Sequence, residues 1–281
     1  MGRIANTWID LGRAVRRRRR KRGETADRWG YRLDWVKRNA SSRSFVDVGG
    51  LYATGRIAFA AEDAGAQGVT LFDAGDPVLT EFPQRAKERG SSVRTVQGDL
   101  EDAEAIRRAG PHDVVWCTGV IYHTPNPVLQ LMHLREITKE LLYMGTHTIP
   151  EVPGIPQACL FYPYLDERTR SAVIRGHGNR RQGAGLGLSF DDAPMTGHAN
   201  FWWGITPSAV RAMLRAARFE IVEEAPIAEY PFMMDVVARP VETAPLLPPT
   251  SYYREREEAR ERGEPPPPFE DFYEKTGRGY L

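Results

Sequence analysis

Three aspartates, each at the end of a short apolar run, are the residues of this chain best suited to act together. Asp47 precedes Gly49 and Gly50, Asp73 ends the next apolar run, and Asp99 follows the third. Glycines let the backbone approach a ligand closely, and a carboxylate can accept hydrogen bonds from both hydroxyls of a ribose. An acid beside the glycines favours a positively charged ligand over a phosphate. The spacing therefore predicts a site for a nucleotide-like ligand that carries a positive charge.

A repeating pattern of strands and helices positions these acids. Strands are predicted from Ser44 and over residues 69–72, 93–97, 113–117 and 141–146, with helices over 77–89, 102–108 and 127–139. A late helix over 208–217, with Thr206 as its N-cap, precedes strands over 219–225 and 233–238. Because alternating strands and helices form parallel sheets, we expect an α/β, Rossmann-like fold with about seven mostly parallel strands. Ligands bind such sheets outside the carboxyl ends of the strands.

Composition divides the chain into three parts. Residues 1–43 form a basic, aromatic helical extension, and residues 1–40 hold 13 Lys and Arg against 4 Asp and Glu. The α/β domain covers residues 44–239. Its residues 150–204 lack regular periodicity, which predicts a substrate-site insert or lid. Residues 240–281 form a charged, proline-rich tail, which we expect to dock on the basic extension or on the second subunit of a homodimer.

Bulk composition argues against several classes of protein. Of the 281 residues 41% are hydrophobic, the net charge is +1, and the two cysteines are Cys117 and Cys159. These values predict neither a disulfide framework nor a uniformly basic surface for nucleic acid. Neither a signal peptide nor an apolar run of membrane-spanning length is apparent, so we expect a cytoplasmic protein.

The order of these motifs resembles that of the class I S-adenosylmethionine-dependent methyltransferases over residues 44–239. Dehydrogenases hold a pyrophosphate with GxGxxG, and the turn DVGGLYATG lacks that spacing. The resemblance implies S-adenosyl-L-methionine as the cofactor. An NAD-type oxidoreductase and a fold relative that binds without catalysis are the other classes that the pattern leaves open.

The resemblance also implies which residues contact the cofactor: Asp47, Gly49, Gly50, Asp73, Asp99, Leu100, Cys117 and Thr118. The first three match the turn around the methionine part, and Asp73 matches the acid that binds both ribose hydroxyls. Asp99 and the Leu100 amide match the contacts to adenine, and the last two residues match the strand end beneath the sulfonium. The first turn is longer than the family's DxGxGxG, which leaves the part played by Gly55 open.

The segment GVIYHTPNP, residues 119–127, is similar to a segment of tRNA wobble-uridine carboxymethyltransferases and of related small-molecule methyltransferases. Two kinds of acceptor stay open. A tRNA would bring phosphates to the Arg-rich stretch of residues 16–22. Alternatively, the long insert can form a pocket for a small acceptor. We expect this acceptor to be methylated on an oxygen atom of a sugar, glycoside or secondary metabolite.

An oxygen acceptor usually needs a base to take its proton, and histidine titrates near neutral pH. His147 is the first candidate because it follows the fifth strand, His123 is second because it follows the fourth, and His198 in the insert is third. The remaining histidines are assigned to structure or surface: His112, His133 and His177.

Aromatic and acidic side chains near the same strand ends suggest further ligand contacts. The candidates for acceptor binding are Tyr122, Trp202 and Trp203. Glu151, Asp191 and Asp192 offer oxygen ligands of the kind that Mg²⁺ prefers. No metal-binding spacing joins them to a histidine, so no metal site is predicted.

Overall fold

The computed structural model describes residues 27–163, 201–228, 232–242 and 250–265, together with residues 166, 168 and 230. Several predictions concern residues outside these ranges. They are the predictions for the Arg-rich stretch, for His177, His198, Asp191 and Asp192, and for the end of the tail.

A seven-stranded sheet forms the centre of the described chain. The described residues contain nine strands, of which β6 and β7 form a separate pair outside this sheet. In chain order the strands are β1 (Ser44–Val48), β2 (Gly68–Asp73), β3 (Arg94–Gln97), β4 (His112–Thr118), β5 (Thr138–His147), β6 (Cys159–Phe161), β7 (Trp203–Ile205), β8 (Phe219–Glu224) and β9 (Met233–Pro240). The sheet has the order β3-β2-β1-β4-β5-β9-β8, and β9 runs antiparallel to both of its neighbours. The predicted Rossmann-like sheet of about seven mostly parallel strands is therefore confirmed.

Helices cover both faces of this sheet. In chain order they are α1 (Arg28–Asn39), α2 (Arg56–Asp63), α3 (Phe82–Arg89), α4 (Ala103–Ala109), α5 (Pro127–Ile137), α6 (Pro207–Ala216) and α7 (Thr250–Glu261). Successive strand residues point to opposite faces, so Phe45 packs with α1, α2 and α3 while Val46 packs with α4, α5 and α6. Within the described residues, none of these helices has the length and apolar character that crossing a membrane requires.

Side-chain caps explain where several helices begin. Thr206 Oγ1 accepts a hydrogen bond from the Ala209 amide at 3.3 Å, which confirms the predicted N-cap of α6. Asp102 Oδ1 caps α4 through the Glu104 amide at 2.9 Å. Such caps satisfy amides that the first helical turn leaves without a backbone partner.

Two predicted helices differ in the structure, and one pair of strands was not predicted. The helix predicted over 77–89 is divided into a 3₁₀ turn, Pro77–Leu79, and α3, because Thr80 is extended between them. The predicted helix 127–139 ends at Ile137, since Thr138 already pairs with His112 in the sheet. The two-stranded pair β6–β7 was missed, because strands of three residues are too short to show an alternating pattern.

The helix α1 of the N-terminal extension is packed directly on the sheet. The Trp35 ring lies 5.9 Å from that of Trp116 and 4.8 Å from that of Tyr143, centroid to centroid. Arg32 Nε lies 2.7 Å from Asp235 Oδ2 in β9, and Tyr143 Oη donates to the same oxygen at 2.8 Å. Because this ion pair is buried, loss of either partner would leave an uncompensated charge in the interior.

Candidate functional site

The three predicted aspartates lie at the same edge of the sheet, because β1, β2 and β3 are adjacent parallel strands. Backbone hydrogen bonds join the turns that follow these strands. The Gly49 amide donates to the Phe72 carbonyl at 2.8 Å, and the Gly98 amide donates to the Asp73 carbonyl at 2.9 Å. The carboxyl ends of the strands thus form one continuous rim.

Two positions in the turn after β1 require glycine. Gly49 has a φ of +77°, and a Cβ there would lie 2.6 Å from Val120 Cγ2. A Cβ on Gly50 would lie 2.3 Å from Asp47 Oδ2. The turn is therefore pressed against the loop after β4 and against the first acid. Gly55 directly precedes α2 and lies against the Phe82 ring, a packing role at the start of a helix.

Asp47 and Asp73 are carboxylates held by backbone amides. Asp47 is buried and accepts from the Ala58 amide at 3.1 Å, while Asp73 accepts from the Leu51 amide at 3.0 Å and the Gly75 amide at 2.9 Å. Burial raises the pKa of Asp47 to about 7, with the charge of Asp73 adding to the effect, and burial also raises the pKa of Asp73. Within the described chain, neither carboxylate forms an ion pair. A ligand with a positive charge or with hydroxyl donors would compensate both.

The other predicted cofactor residues differ in what they offer a ligand. Asp99 is exposed and accepts from the Glu101 amide at 2.8 Å. The side chains of Leu100 and Cys117 are buried in the core on the α4–α6 face, so only their backbone groups can reach a ligand. Thr118 Oγ1, at the end of β4, accepts from Trp116 Nε1 at 3.2 Å.

Two of the three candidate bases meet in one aromatic cluster, made of Tyr122, His123, His147 and Phe201. The Tyr122 ring centroid lies 4.3 Å from that of His123 and 4.8 Å from that of His147. The Phe201 ring lies 5.1 Å from His123 and 5.2 Å from His147. The cluster stands at the carboxyl ends of β4 and β5, next to the glycine turn. Phe201 was not predicted, because no spacing connects it to the strand ends.

The end of the insert is tied to the loop after β4. The Trp202 amide donates to the Tyr122 carbonyl at 2.8 Å, and Trp203 Nε1 donates to the Pro125 carbonyl at 3.2 Å. Both tryptophans therefore lie beside the aromatic cluster. The Trp203 indole nitrogen is already used in holding the loop, so this side chain can offer a ligand only its ring face.

Glu101, which was not predicted, joins the loops after β3 and β4. Its carboxylate accepts from Thr124 Oγ1, and from Asn126 Nδ2 at 2.8 Å. It therefore links the Asp99 loop to the segment that carries Tyr122 and His123. No local sequence pattern predicts this role, because Thr124 and Asn126 are more than twenty positions from Glu101.

The proposed oxygen ligands for a metal are only partly described. Glu151 accepts from the Ser208 amide and from Ser208 Oγ, both at 2.7 Å, at the beginning of α6. Its carboxylate thus serves as a helix cap. Among the residues that the structure describes, no three His, Cys, Asp or Glu side chains form a group that could hold a metal ion.

Two buried histidines have the structural roles expected of them. His112 Nδ1 lies 2.9 Å from the Gly110 carbonyl and its Nε2 lies 3.0 Å from Thr70 Oγ1. Burial lowers the pKa of His112. His133 Nδ1 bonds to the Leu100 carbonyl from α5. Neither ring belongs to the aromatic cluster.

Comparisons with known proteins identify the fold. No protein-family model and no curated protein matches the chain. The N-terminal domain of EvdMO1, solved in the presence of SAH and D-fucose, is 14% identical, with a TM-score of 0.50 over 74% of this chain and 82% of that one. The PH0226 protein of Pyrococcus horikoshii OT3 is 13% identical, with a TM-score of 0.50 over 78% and 93%. With the strand order described above, this likeness shows a class I methyltransferase fold.

Proposed function

We propose that the protein is an S-adenosylmethionine-dependent methyltransferase that acts on a small molecule. The observation that carries the proposal is the pair Asp47 and Asp73, two carboxylates without ion-pair partners in the described chain, set beside a turn that requires glycine. In this fold, that is the edge at which ligands bind. The EvdMO1 domain, which has the same fold, was solved with SAH.

The chain's own residues account for the parts of such a cofactor. Asp73 would accept hydrogen bonds from the ribose hydroxyls, and Asp47 with the backbone of Gly49 and Gly50 would face the methionine part. Asp99 would accept from the adenine amino group, and the Leu100 amide would donate to the ring. The backbone at the end of β4, including Cys117 and Thr118, would lie beneath the sulfonium.

Methyl transfer requires an acceptor in line with the methyl carbon. The acceptor oxygen forms a bond to that carbon, the carbon–sulfur bond breaks, and the electron pair stays on sulfur. We assign removal of the acceptor proton to His147, with His123 as the alternative in the same aromatic cluster and His198 as the third candidate. Tyr122, Trp202 and Trp203 would form the walls around a sugar, glycoside or secondary metabolite.

A tRNA-modifying methyltransferase is the second candidate, because residues 119–127 carry the segment that resembles the tRNA wobble-uridine enzymes. The Arg-rich stretch would then bind phosphates. Binding of tRNA with a steep dependence on salt concentration would favour this candidate over a small-molecule acceptor.

Binding of S-adenosylhomocysteine tests the cofactor directly. Saturating ligand should raise the melting temperature, since a ligand that binds only the native state stabilises it. Asp73→Ala should abolish this shift, whereas Asp76→Ala, which removes the N-cap of a 3₁₀ turn, should retain it. A wild-type protein without any shift would refute the proposed function.

Transfer of a labelled methyl group into a panel of acceptors tests the base. His147→Ala should bind S-adenosylhomocysteine normally and lose about 10²-fold or more in turnover. If His147→Ala turns over like the wild type, the assignment moves to His123.

A further inference from the structure

The hydroxyl group of Tyr122 lies at the end of β4, beside an open space. Its oxygen, Oη, is 3.6 Å from the position that a Cβ atom on Gly119 would occupy. Among the described residues, and leaving the chain neighbours of Gly119 aside, no other atom comes within 4 Å of that position. Gly119 directly follows β4, and the proposed function puts the sulfonium at this strand end. The hydroxyl therefore borders the space in which the methyl group and the acceptor would meet.

This hydroxyl has no hydrogen-bond partner among the residues that the structure describes. Tyr122 is only 5% exposed, and it is the carbonyl of Tyr122, not its hydroxyl, that bonds to the Trp202 amide. A buried tyrosine usually finds a partner for its hydroxyl, so a ligand that supplies one is favoured here. Burial raises the pKa of Tyr122 against the opposing charges of Arg32 and Arg28. The hydroxyl therefore keeps its proton at neutral pH and can donate it.

Backbone pairing brings this hydroxyl and the proposed base to the same place. The Gly119 amide donates to the Gly145 carbonyl at 2.9 Å, which keeps the ends of β4 and β5 side by side. Tyr122 follows β4, and His147 is the last residue of β5. Their ring centroids are 4.8 Å apart, with an angle of 78° between the ring planes. One small acceptor can therefore contact both side chains at once.

The two side chains suit different oxygen atoms of that acceptor. The oxygen that attacks the methyl carbon uses a lone pair, and a hydrogen bond donated to this oxygen would weaken the attack. The attacking oxygen needs a base for its proton instead, which is the task assigned to His147. A protonated phenol suits a second oxygen, which accepts a hydrogen bond without reacting.

We propose that Tyr122 Oη donates a hydrogen bond to a second oxygen of the acceptor, next to the oxygen that is methylated; the proposal rests on the methyltransferase function above. The acceptor is then a vicinal diol and not a simple alcohol. Holding the second oxygen orients the acceptor, because it turns the reacting oxygen toward His147 and the methyl carbon. Tyr122 is thus a specificity-determining residue as well as a wall of the site.

Tyr122→Phe tests the hydroxyl alone, because the variant keeps the ring that packs on His123, His147 and Phe201. The full chain is assayed for transfer of a labelled methyl group to vicinal diols, each paired with the compound that lacks the second hydroxyl. The pairs are 1,2-dihydroxybenzene with phenol, cis-1,2-cyclohexanediol with cyclohexanol, and methyl glycosides with their deoxy analogues. The wild type should prefer the diols. In Tyr122→Phe, kcat/KM for diols should fall about tenfold, the value of one neutral hydrogen bond, and kcat/KM for the mono-alcohols should not change.

Tyr162→Phe is the matched control. Tyr162 is a second buried tyrosine that packs with Tyr122 and Phe201, but its hydroxyl lies against Gly204 of β7, away from the end of β4. This variant should keep the wild-type preference for diols. S-adenosylhomocysteine should raise the melting temperature of both variants as much as that of the wild type, which shows that each variant is folded and binds the cofactor product.

The outcomes separate this proposal from the function on which it rests. The diol site is refuted, and the methyltransferase function stands, if the wild type binds S-adenosylhomocysteine but does not prefer diols, or if Tyr122→Phe keeps the preference. It is also refuted if Tyr122→Phe weakens S-adenosylmethionine but not S-adenosylhomocysteine, because the hydroxyl would then contact the methyl group of the cofactor. If the wild type does not bind S-adenosylhomocysteine, both proposals fail together.

Discussion

Proton binding and ligand binding are coupled at Asp47. Its pKa is raised from 3.8 to about 7 in the folded chain, so between these values the native state binds more protons than the unfolded state. Stability from this group is present below pH 4 and is lost as the pH rises toward 7. A cationic ligand favours the ionised carboxylate, so the affinity for S-adenosylmethionine should rise as the pH increases from 6 to 8.

Asp47→Asn should therefore stabilise the protein while preventing cofactor binding. The raised pKa of Asp47 corresponds to a stability difference on the order of 4 kcal/mol at pH 8. Urea titrations of variant and wild type from pH 4 to 8 would measure this difference in the free energy of unfolding. Asp99→Asn, which replaces an exposed carboxylate at the same rim, is the control. Parallel pH profiles for wild type and Asp47→Asn would contradict the prediction.

Residues that follow strands could be predicted from the sequence, and residues that meet across the fold could not. The acids Asp47, Asp73 and Asp99 each follow an apolar run, and parallel strands bring such positions to one rim. Phe201 meets the aromatic cluster from the insert, and Glu101 bonds to Thr124 and Asn126 across two loops. No local sequence pattern predicts these contacts, because they depend on tertiary packing alone.

At the scale of elements, the loops after β3 and β4 act as one unit through Glu101. Glu101→Ala removes the acceptor of both Thr124 and Asn126, and should free the segment that carries Tyr122 and His123. We expect a higher KM for the cofactor and a lower kcat, with a loss of stability of about 1 kcal/mol, the usual value for one such hydrogen bond.

Steady-state kinetics of Glu101→Ala beside Glu104→Ala would test this coupling. Glu104 is exposed, lies in the first turn of α4 and pairs with Arg107, so its removal touches neither loop. Equal kinetic effects of the two substitutions would show that the link between the loops has no part in the reaction.

Element boundaries can be predicted from the sequence where a local signal sets them, and not where pairing with a distant strand does. Thr206 was predicted correctly because an N-cap followed by proline is a local signal. Thr138 was assigned to a helix, although its pairing with His112 places it in β5. That pairing depends on β4, which lies far away in sequence, and so no local pattern reports it.

At the scale of the whole molecule, α1 is part of the main body and not a detachable extension. Trp35 packs on Trp116 and Tyr143 from the sheet. Trp35→Ala should lower the free energy of unfolding by about 3 to 5 kcal/mol, as expected for removing a buried indole. Circular dichroism and tryptophan fluorescence should report the same reduced midpoint, because α1 and the sheet unfold together.

Val222→Ala is the control for this substitution, since Val222 is 50% exposed and lies on the edge strand β8. It should change the midpoint very little. A midpoint for Trp35→Ala that differs between the two probes would show instead that α1 unfolds separately from the sheet.

The place of β9 has a consequence for how the chain is made. β9 lies between β5 and β8 in the sheet, although β5 ends at His147 and β9 begins only at Met233. At roughly 5 to 20 residues per second, a ribosome delivers β9 several seconds after β5. During that interval the nascent chain presents the open edge of β5, which is a template for aggregation. A chain that stops before Met233 should therefore aggregate as it leaves the ribosome instead of forming a smaller enzyme.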